Sequence, residues 1–118
     1  AIEKFLPICE KYGDIETANH YKKVREELKT VIEEKAFYGD RYARAICDDG
    51  TVLGIEDCEE CKIDILSQTF SAIANLDEER TKKALNCACS NLYDGKEKIF
   101  KLFSPPFANG SSGTLPSI

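Results

Sequence analysis

A polar stretch rich in turn-forming residues occupies the middle of the chain, residues 38–68, between two segments with helical periodicity. It starts as an alternating run, reaches Asp48-Asp49-Gly50, and continues as an acidic loop that leads into a new helix. Alternation that ends in an Asp-Gly turn is typical of a β-hairpin. Because helix packing does not explain so many polar groups, we interpret the flanks as scaffold and residues 38–68 as the working surface.

The first flank has the pattern of two antiparallel helices joined by a very short turn. Apolar residues recur at helical spacing up to Tyr12, with Pro7 expected near the first turn, and Gly13 then fits a C-terminal cap. Asp14 is a typical N-cap for the longer helix that follows. The expected apolar stripe of that helix comprises Thr17, Tyr21, Val24, Leu28, Val31 and Ile32.

The second flank repeats this order. Asp64 or Ser67 is expected to cap a helix over residues 66–76, and Asp77 a longer helix that ends at Gly95. An aromatic extended segment follows, as it does after the first long helix. The expected stripe of the second long helix comprises Thr81, Ala84, Leu85, Ala88, Cys89 and Leu92.

These patterns predict a mainly all-α fold, made of two helical hairpins with short β-hairpin or extended insertions. The recurrence of the helical hairpin is a weak internal repeat, which is typical of toroids and solenoids. With 118 residues, of which 42% are hydrophobic, the chain is large enough for one core. We place that domain at residues 1–107 and expect residues 108–118, which lack a periodic apolar pattern, to form a flexible or artificial tail.

The charge balance excludes two classes of partner. A net charge of −5 and Lys and Arg residues interspersed with Glu argue against binding to nucleic acid or to an anionic membrane surface. No apolar run approaches the roughly 20 residues that span a bilayer, and the first residues lack the pattern of a signal peptide. We therefore expect a cytoplasmic protein.

The six cysteines are expected to be reduced thiols, since no signal-peptide pattern accompanies them. Cys58 and Cys61 form a C-x-x-C pair and Cys87 and Cys89 a C-x-C pair, so a four-thiolate zinc site is an alternative. The C-x-C pair lies in a predicted helix, where residues two apart do not face each other. We therefore predict small packed thiols and no metal, and interpret His20 as a surface or interhelical residue.

An ordered string of short motifs runs through the chain, namely Gly39-Asp40-x-Tyr42-x-Arg44-Ala45, Asp48-Asp49-Gly50-Thr51, Leu53-Gly54, Glu59-Glu60-Cys61-Lys62-Ile63-Asp64, Gln68-Thr69-Phe70-Ser71 and Ser104-Pro105-Pro106-Phe107. This string resembles that of glycoside hydrolase family 94, which includes cellobiose and chitobiose phosphorylases and the phosphorylase-like domain of cyclic β-1,2-glucan synthase. Arg41 and Phe70 depart from the resemblance, because they stand where tryptophans are common in the family.

The resemblance implies an (α/α)6-type toroid of six helical hairpins, of which this chain would supply about two. In such enzymes inorganic phosphate is the co-substrate and attacks the anomeric carbon, while one Asp protonates the leaving oxygen and the configuration inverts. The family's Asp-Trp-Asn-Asp motif, which holds that acid, does not occur here, and neither does the segment with its phosphate-binding His. We therefore predict no catalytic residue and no cofactor in this chain.

Four polar residues of the central stretch are the predicted contacts to a β-glucoside or oligosaccharide, namely Arg44, Asp48, Glu59 and Gln68. The alternative is structural, with Asp48 in a turn, Glu59 paired with Lys62 or Arg44, and Gln68 as a helix-start amide. The predicted function is a fragment of a phosphorylase-type or glycosyltransferase-like enzyme, inactive alone.

A second functional hypothesis is a stand-alone helical interaction module without catalysis, and a third is a small zinc-binding domain on the clustered thiols. Helical hairpins that lack neighbours expose their apolar stripes, and exposed stripes favour association. We therefore expect a homo-oligomer that pairs the stripes around Val24, Leu28, Leu85 and Leu92.

Overall fold

A computed structural model describes residues 1–107 of the chain, so the expected tail at 108–118 lies outside the described residues. Four helices form most of the regular structure, which confirms the mainly helical fold class. They are α1 (Ile2–Lys11), α2 (Ile15–Lys35), α3 (Ile65–Ile73) and α4 (Glu78–Leu92). The two-residue strands are β1 (Phe37–Tyr38), β2 (Arg41–Tyr42), β3 (Ala45–Ile46), β4 (Val52–Leu53), β5 (Ile63–Asp64), β6 (Tyr93–Asp94), β7 (Ile99–Phe100) and β8 (Phe103–Ser104).

Helices α1 and α2 form the predicted helical hairpin. Gly13 adopts a φ of 75° in the turn, a left-handed conformation that glycine reaches without strain. Asp14 caps α2, because its side chain accepts a hydrogen bond from the Thr17 amide at 3.1 Å. Pro7 lies inside α1 rather than near its first turn, so that expectation was wrong. Packing against α2 stabilises this short helix beyond its own propensity.

Helices α3 and α4 form the second hairpin, and carboxylates cap both. The Asp64 side chain accepts from the Ser67 amide at 2.9 Å, so the cap of α3 is Asp64 and not Ser67. Asp77 caps α4 by accepting from the Arg80 amide at 2.9 Å. Helix α4 ends at Leu92 and not at Gly95, because the chain turns extended at the next residue and enters β6.

The buried face of α4 differs from the predicted stripe at one cysteine. Cys87 is buried and Cys89 is exposed, the reverse of what the stripe required. The reason is that α4 packs against strands β2, β5 and β8 as well as against α3, which widens its buried arc. The central core cluster consists of Ile63, Cys87, Ala88 and Leu92.

In the described residues, four antiparallel two-stranded ladders connect and brace the helices. The β3–β4 ladder closes around Asp48-Asp49-Gly50 and confirms the predicted hairpin. The β1–β2 and β6–β7 hairpins follow α2 and α4 respectively. The β5–β8 ladder joins the start of α3 to the end of the described chain. Within residues 1–107, no helix has the length and apolar character needed to cross a bilayer.

Candidate functional site

Gln68, predicted as a sugar contact, is fully buried and holds strand β2 against α3. Its side-chain oxygen accepts from the Tyr42 amide at 2.8 Å, and its nitrogen donates to the Tyr42 and Asp64 carbonyls, both at 2.9 Å. These contacts use both donors and the acceptor of the amide inside the protein. The geometry is that of the helix-start amide named as the structural alternative.

Arg44, the second predicted residue, forms an ion pair with Asp64 at the N-terminus of α3. Its guanidinium also lies over the Phe103 ring, 5.5 Å from the ring centroid. About a third of the side chain stays accessible, at 35% exposure, while Asp64 is buried. Asp64 therefore connects the two predicted residues. Arg44 contacts its carboxylate, and Gln68 donates to its backbone carbonyl.

Asp48 and Glu59 are exposed and take no part in that cluster. Asp48 lies in the β3–β4 turn, where the Gly50 amide donates to the Cys47 carbonyl at 2.9 Å. The neighbouring Asp49 carboxylate accepts from the Thr51 amide, and this contact lowers the pKa of Asp49. Neither partner suggested for Glu59 pairs with it, since Lys62 contacts Glu56 and Arg44 contacts Asp64.

A polar pocket of about 210 Å³ lies beside this cluster, between β2, the β5–β8 ladder and α4. Its base is Arg41, whose side chain is only 7% exposed. The Arg41 guanidinium donates to the Asp40 carboxylate at 2.7 and 3.3 Å and to the Lys62 carbonyl at 3.0 Å. The remaining lining residues are Glu56, Lys62, Ile63, Asn91, Ser104 and Pro105.

The charges around the pocket balance. Arg41 pairs with Asp40 and, at 3.1 Å, with Glu56, and Glu56 also accepts from Lys62 at 3.2 Å. The hydrogen bond from Arg41 is the main cause that lowers the pKa of Asp40. The same bond raises the pKa of Arg41, so both groups are charged at neutral pH. Two cations and two anions leave a site that suits a neutral ligand rich in hydroxyl groups.

Sequence reasoning missed Arg41, Glu56, Asn91 and Ser104 as pocket residues. The pocket brings together residues that lie far apart in the sequence, from Arg41 to Pro105, and no local pattern predicts such a long-range contact. One signal was present, because Arg41 stands where tryptophan is common in the family that the sequence resembles. A buried charge requires partners of opposite charge, and Asp40 and Glu56 supply them from the edge of the pocket, where their own side chains are exposed.

The cysteines pack as separate side chains. Cys61 and Cys87 are buried, and burial is the main cause that raises the pKa of each thiol, that of Cys87 to about 11. Cys87 and Cys89 lie on different faces of α4, one buried and one exposed. In the described part of the chain, no three His, Cys, Asp or Glu side chains come close enough to hold a metal ion.

Known proteins from two bacteria are similar to the chain over most of its length. It is 32% identical over 106 residues, 89% of its length, to the cyclic beta-(1,2)-glucan synthase NdvB of Rhizobium meliloti (strain 1021). It is 29% identical over 111 residues, 92% of its length, to the 3-O-beta-D-glucopyranosyl-beta-D-glucuronide phosphorylase of Paenibacillus borealis. The chain spans only 4% and 14% of these two relatives respectively.

A family model agrees with both relatives and confirms the resemblance found in the motifs. The model described as "Glycosyl hydrolase 94 superfamily, catalytic domain" matches residues 1–114, which include the first positions of the stretch expected as a tail. The matched range covers nearly all of the chain. The chain therefore belongs to the glycosyl hydrolase 94 superfamily, within its catalytic domain.

Proposed function

We propose that this chain is part of a catalytic domain that acts on β-glucosides, and that it supplies sugar contacts and not the catalytic step. The observation that carries the proposal is the charge-balanced pocket on Arg41, with an amide from Asn91 and a hydroxyl from Ser104 on its wall. The Asn91 amide nitrogen donates to the Cys87 carbonyl at 2.8 Å, so the Asn91 amide oxygen and the Ser104 hydroxyl are the groups that can hydrogen-bond sugar hydroxyls without demanding a charge on the ligand. The whole protein would be a carbohydrate-active phosphorylase or glycosyltransferase.

The carboxylates near the pocket are poor candidates for a general acid, which supports inactivity of the chain alone. A general acid at neutral pH needs a raised pKa, and the pKa of Asp40 is lowered by Arg41. Asp64 is buried but engaged by Arg44 and by the Ser67 amide and hydroxyl. We infer that the acid, and the group that binds the co-substrate inorganic phosphate, belong to other parts of the whole protein.

The four sugar contacts predicted from the sequence have different roles in this proposal. Arg44 has an accessible guanidinium, and the exposed Asp48 and Glu59 can meet a longer oligosaccharide outside the pocket. Gln68 acts only by holding Tyr42 in place, because its amide is used inside the protein. The two similar helical hairpins support a toroid of such hairpins as the architecture of the whole domain.

We also infer a cytoplasmic location. The buried Cys61 and Cys87 thiols, with their raised pKa, pack as small apolar side chains that suit a reducing compartment. Fractionation of cells that express the whole protein checks this point, and recovery in a secreted fraction would contradict it.

Titration of the isotope-labelled chain with cellobiose, sophorose, glucose and inorganic phosphate tests the sugar site by amide NMR shifts. We expect the two disaccharides to shift the amides of Arg41, Lys62, Asn91 and Ser104 at millimolar concentration. Phosphate is expected to shift none of them, because the positive charges of the pocket are already paired. An activity assay with the same sugars and phosphate should give no turnover.

Two asparagines of α4 provide matched variants for this titration. Asn91→Leu removes an amide from the pocket wall and should weaken the disaccharide shifts by about tenfold. Asn86→Leu changes an exposed asparagine of the same helix and should leave them unchanged. Absence of shifts with both disaccharides, or equal effects of the two variants, would contradict a sugar site in this pocket.

A further inference from the structure

Two cysteines three positions apart lie on either side of a sharp bend in the loop before β5. Cys58 and Cys61 are separated by Glu59 and Glu60, and the chain bends at both of these residues. A segment of four residues that folds back on itself holds its end Cα atoms about 7 Å apart or less, and a disulfide spans about 4.4–6.8 Å. Residues 58–61, which we call the thiol loop, therefore have a spacing and a shape that fit a disulfide.

The two thiols also interact in the reduced chain. Burial is the main cause that raises the pKa of Cys61, and the neighbouring Cys58 thiol contributes a smaller rise. Because the electrostatic interaction between two groups weakens with distance, this effect indicates that the two sulfur atoms lie near each other. Both are free cysteines in the structure.

The two cysteines differ in how firmly the fold holds them. Cys61 is completely buried, and its amide donates to the Pro105 carbonyl at 2.8 Å. Its φ of 49° is uncommon for a residue with a side chain, and such a conformation persists only where the surrounding structure holds it. Cys58 is half-buried, and its thiol donates to the Val52 carbonyl at 3.2 Å, which is a weak hydrogen bond. Cys61 is therefore the fixed member of the pair and Cys58 the one that can move.

Pocket residues flank the thiol loop at both ends. Glu56 lies two positions before Cys58, and Lys62 directly follows Cys61. The Glu56 carboxylate pairs with Arg41 at 3.1 Å and with Lys62 at 3.2 Å. A movement of Cys58 therefore acts on the short segment that positions the Glu56 carboxylate at the pocket.

We propose that Cys58 and Cys61 form a reversible disulfide within one chain, and that this bond weakens ligand binding in the neighbouring pocket. The disulfide depends on the thiol loop alone, whereas its effect on binding rests on the proposed sugar site. The pairing of helix stripes expected for a homo-oligomer gives no route to a link between copies, because Leu92 is completely buried in the core. Disulfides in a reducing compartment are transient and serve as redox sensors, which agrees with the inferred cytoplasmic location.

Hydrogen peroxide is the oxidant in this proposal, and the reaction has two steps. The more accessible Cys58 attacks one peroxide oxygen as the thiolate, the O–O bond breaks, and the departing hydroxide takes up the thiol proton to become water. The Cys61 sulfur then attacks the sulfur of the Cys58 sulfenic acid, the S–O bond breaks, and a second water leaves with the Cys61 proton. Two thiols thereby lose two electrons, and one peroxide is reduced to two waters.

Oxidation removes the contact that holds Cys58 on β4. The proton that the Val52 carbonyl accepts is lost, and Cys58 moves toward the fixed Cys61. Because Glu56 moves with it, the cations of the pocket lose part of their pairing. Charges with less compensation keep their water more tightly, so the oxidised pocket suits a neutral sugar less well.

Mass spectrometry of the complete chain after peroxide treatment and tryptic digestion without reductant tests the disulfide. The peptide 45–62 should lose two hydrogen atoms, and dithiothreitol should restore them. This peptide also contains Cys47, which is half-buried like Cys58 and provides the matched control. Cys47→Ser should keep the loss and Cys58→Ser should abolish it. No loss in the native chain, or the same loss in Cys58→Ser, would overturn the proposal.

Amide NMR spectra of the reduced and the oxidised chain test the effect on the pocket. Oxidation alone should shift the amides of Glu56 and Lys62, and cellobiose and sophorose should bind the oxidised chain about fivefold more weakly, as expected when an exposed ion pair is disturbed. Peroxide should change neither result for Cys58→Ser. Equal binding to both forms would overturn the regulation and leave the sugar site standing. Binding to neither form would contradict the sugar site, while the disulfide is still decided by its mass.

Discussion

Gln68 shows how one buried amide holds a strand in place. Two of its hydrogen bonds reach the backbone of Tyr42 on β2, and the third reaches the Asp64 carbonyl at the start of α3. The side chain has no solvent exposure. We expect Gln68→Met, which keeps the volume, to lower the free energy of unfolding by about 2–4 kcal/mol, because the backbone groups of Tyr42 lose their partners.

Urea unfolding measures this loss. Leu66→Met on the exposed side of the same helix is the control and should change stability by less than about 0.5 kcal/mol. A small effect of Gln68→Met would mean that water replaces the hydrogen bonds to the Tyr42 backbone. The Gln68 side chain would then again be a candidate ligand contact.

The Cys87 thiol should make the stability of the fold fall at high pH. Burial, and next the neighbouring Asp40 carboxylate, raise the pKa of its thiol to about 11 from an ordinary value of 9.0. Because the pKa is higher in the folded chain, the stabilisation is complete below pH 9 and is lost as the pH rises toward 11. The stability difference between the native chain and Cys87→Ala should therefore shrink over that range.

Urea unfolding at several pH values between 8 and 11 checks this for Cys87. Ser90→Ala, an exposed neighbour without a titratable group, controls for the general effect of alkali on the fold. A difference between the native chain and Cys87→Ala that stays constant up to pH 11 would contradict the prediction.

At the residue scale, local roles were predictable and long-range roles were not. Asp14 and Asp77 were identified as caps because a cap contacts an amide only three positions away. The burial of Gln68 and Arg41 depends on partners such as Tyr42 and Lys62, more than twenty positions away. Nothing in the residue types near Gln68 distinguishes an amide that binds a strand from one that binds a sugar.

At the element scale, the β3–β4 hairpin depends on close backbone approach at one glycine. Gly54 has a φ of 85°, and a Cβ there would lie 2.6 Å from the Arg44 amide nitrogen. That nitrogen donates to the Leu53 carbonyl at 2.7 Å and so closes the hairpin. We expect Gly54→Ala to cost about 2–4 kcal/mol, since the backbone strain adds to a clash with backbone that cannot move aside.

Gly50 is the matched control for this substitution. Its φ of 86° is nearly the same, but nothing lies within 4 Å of the added Cβ. Gly50→Ala should therefore cost about 1 kcal/mol, from backbone conformation alone. Equal losses for the two variants in thermal or urea unfolding would show that the contact with Arg44 relaxes freely.

Elements with a strong period or a turn motif were predicted, and the β5–β8 ladder was not. Both helical hairpins follow from apolar spacing and capping residues, and the β3–β4 hairpin follows from its Asp-Gly turn. The β5–β8 ladder joins Ile63 to Ser104 through strands too short to show any alternation. Such a pairing arises from tertiary packing, so no local sequence pattern predicts it.

At the scale of the whole molecule, one carboxylate joins the two helical hairpins. Glu33 of α2 accepts from the Tyr42 hydroxyl at 3.0 Å, from the Asp77 amide at 2.8 Å and from the Arg80 guanidinium at 3.0 Å. Its side chain is only 17% exposed. Burial raises the pKa of the Tyr42 phenol and the Glu33 carboxylate raises it further, so Tyr42 keeps its proton and remains a donor.

Glu33→Ala should therefore loosen the first helical hairpin from the second without unfolding either. We expect a loss of about 2–3 kcal/mol in the free energy of unfolding, because the buried Tyr42 hydroxyl and the Asp77 amide lose a charged acceptor. Hydrogen exchange should accelerate in α1 and α2 and stay nearly unchanged in the core of α4. Glu34→Ala, the exposed neighbour, should change stability by less than about 0.5 kcal/mol. Acceleration spread evenly over helices α1 to α4 would contradict this prediction. It would mean that the two helical hairpins unfold together as one cooperative unit.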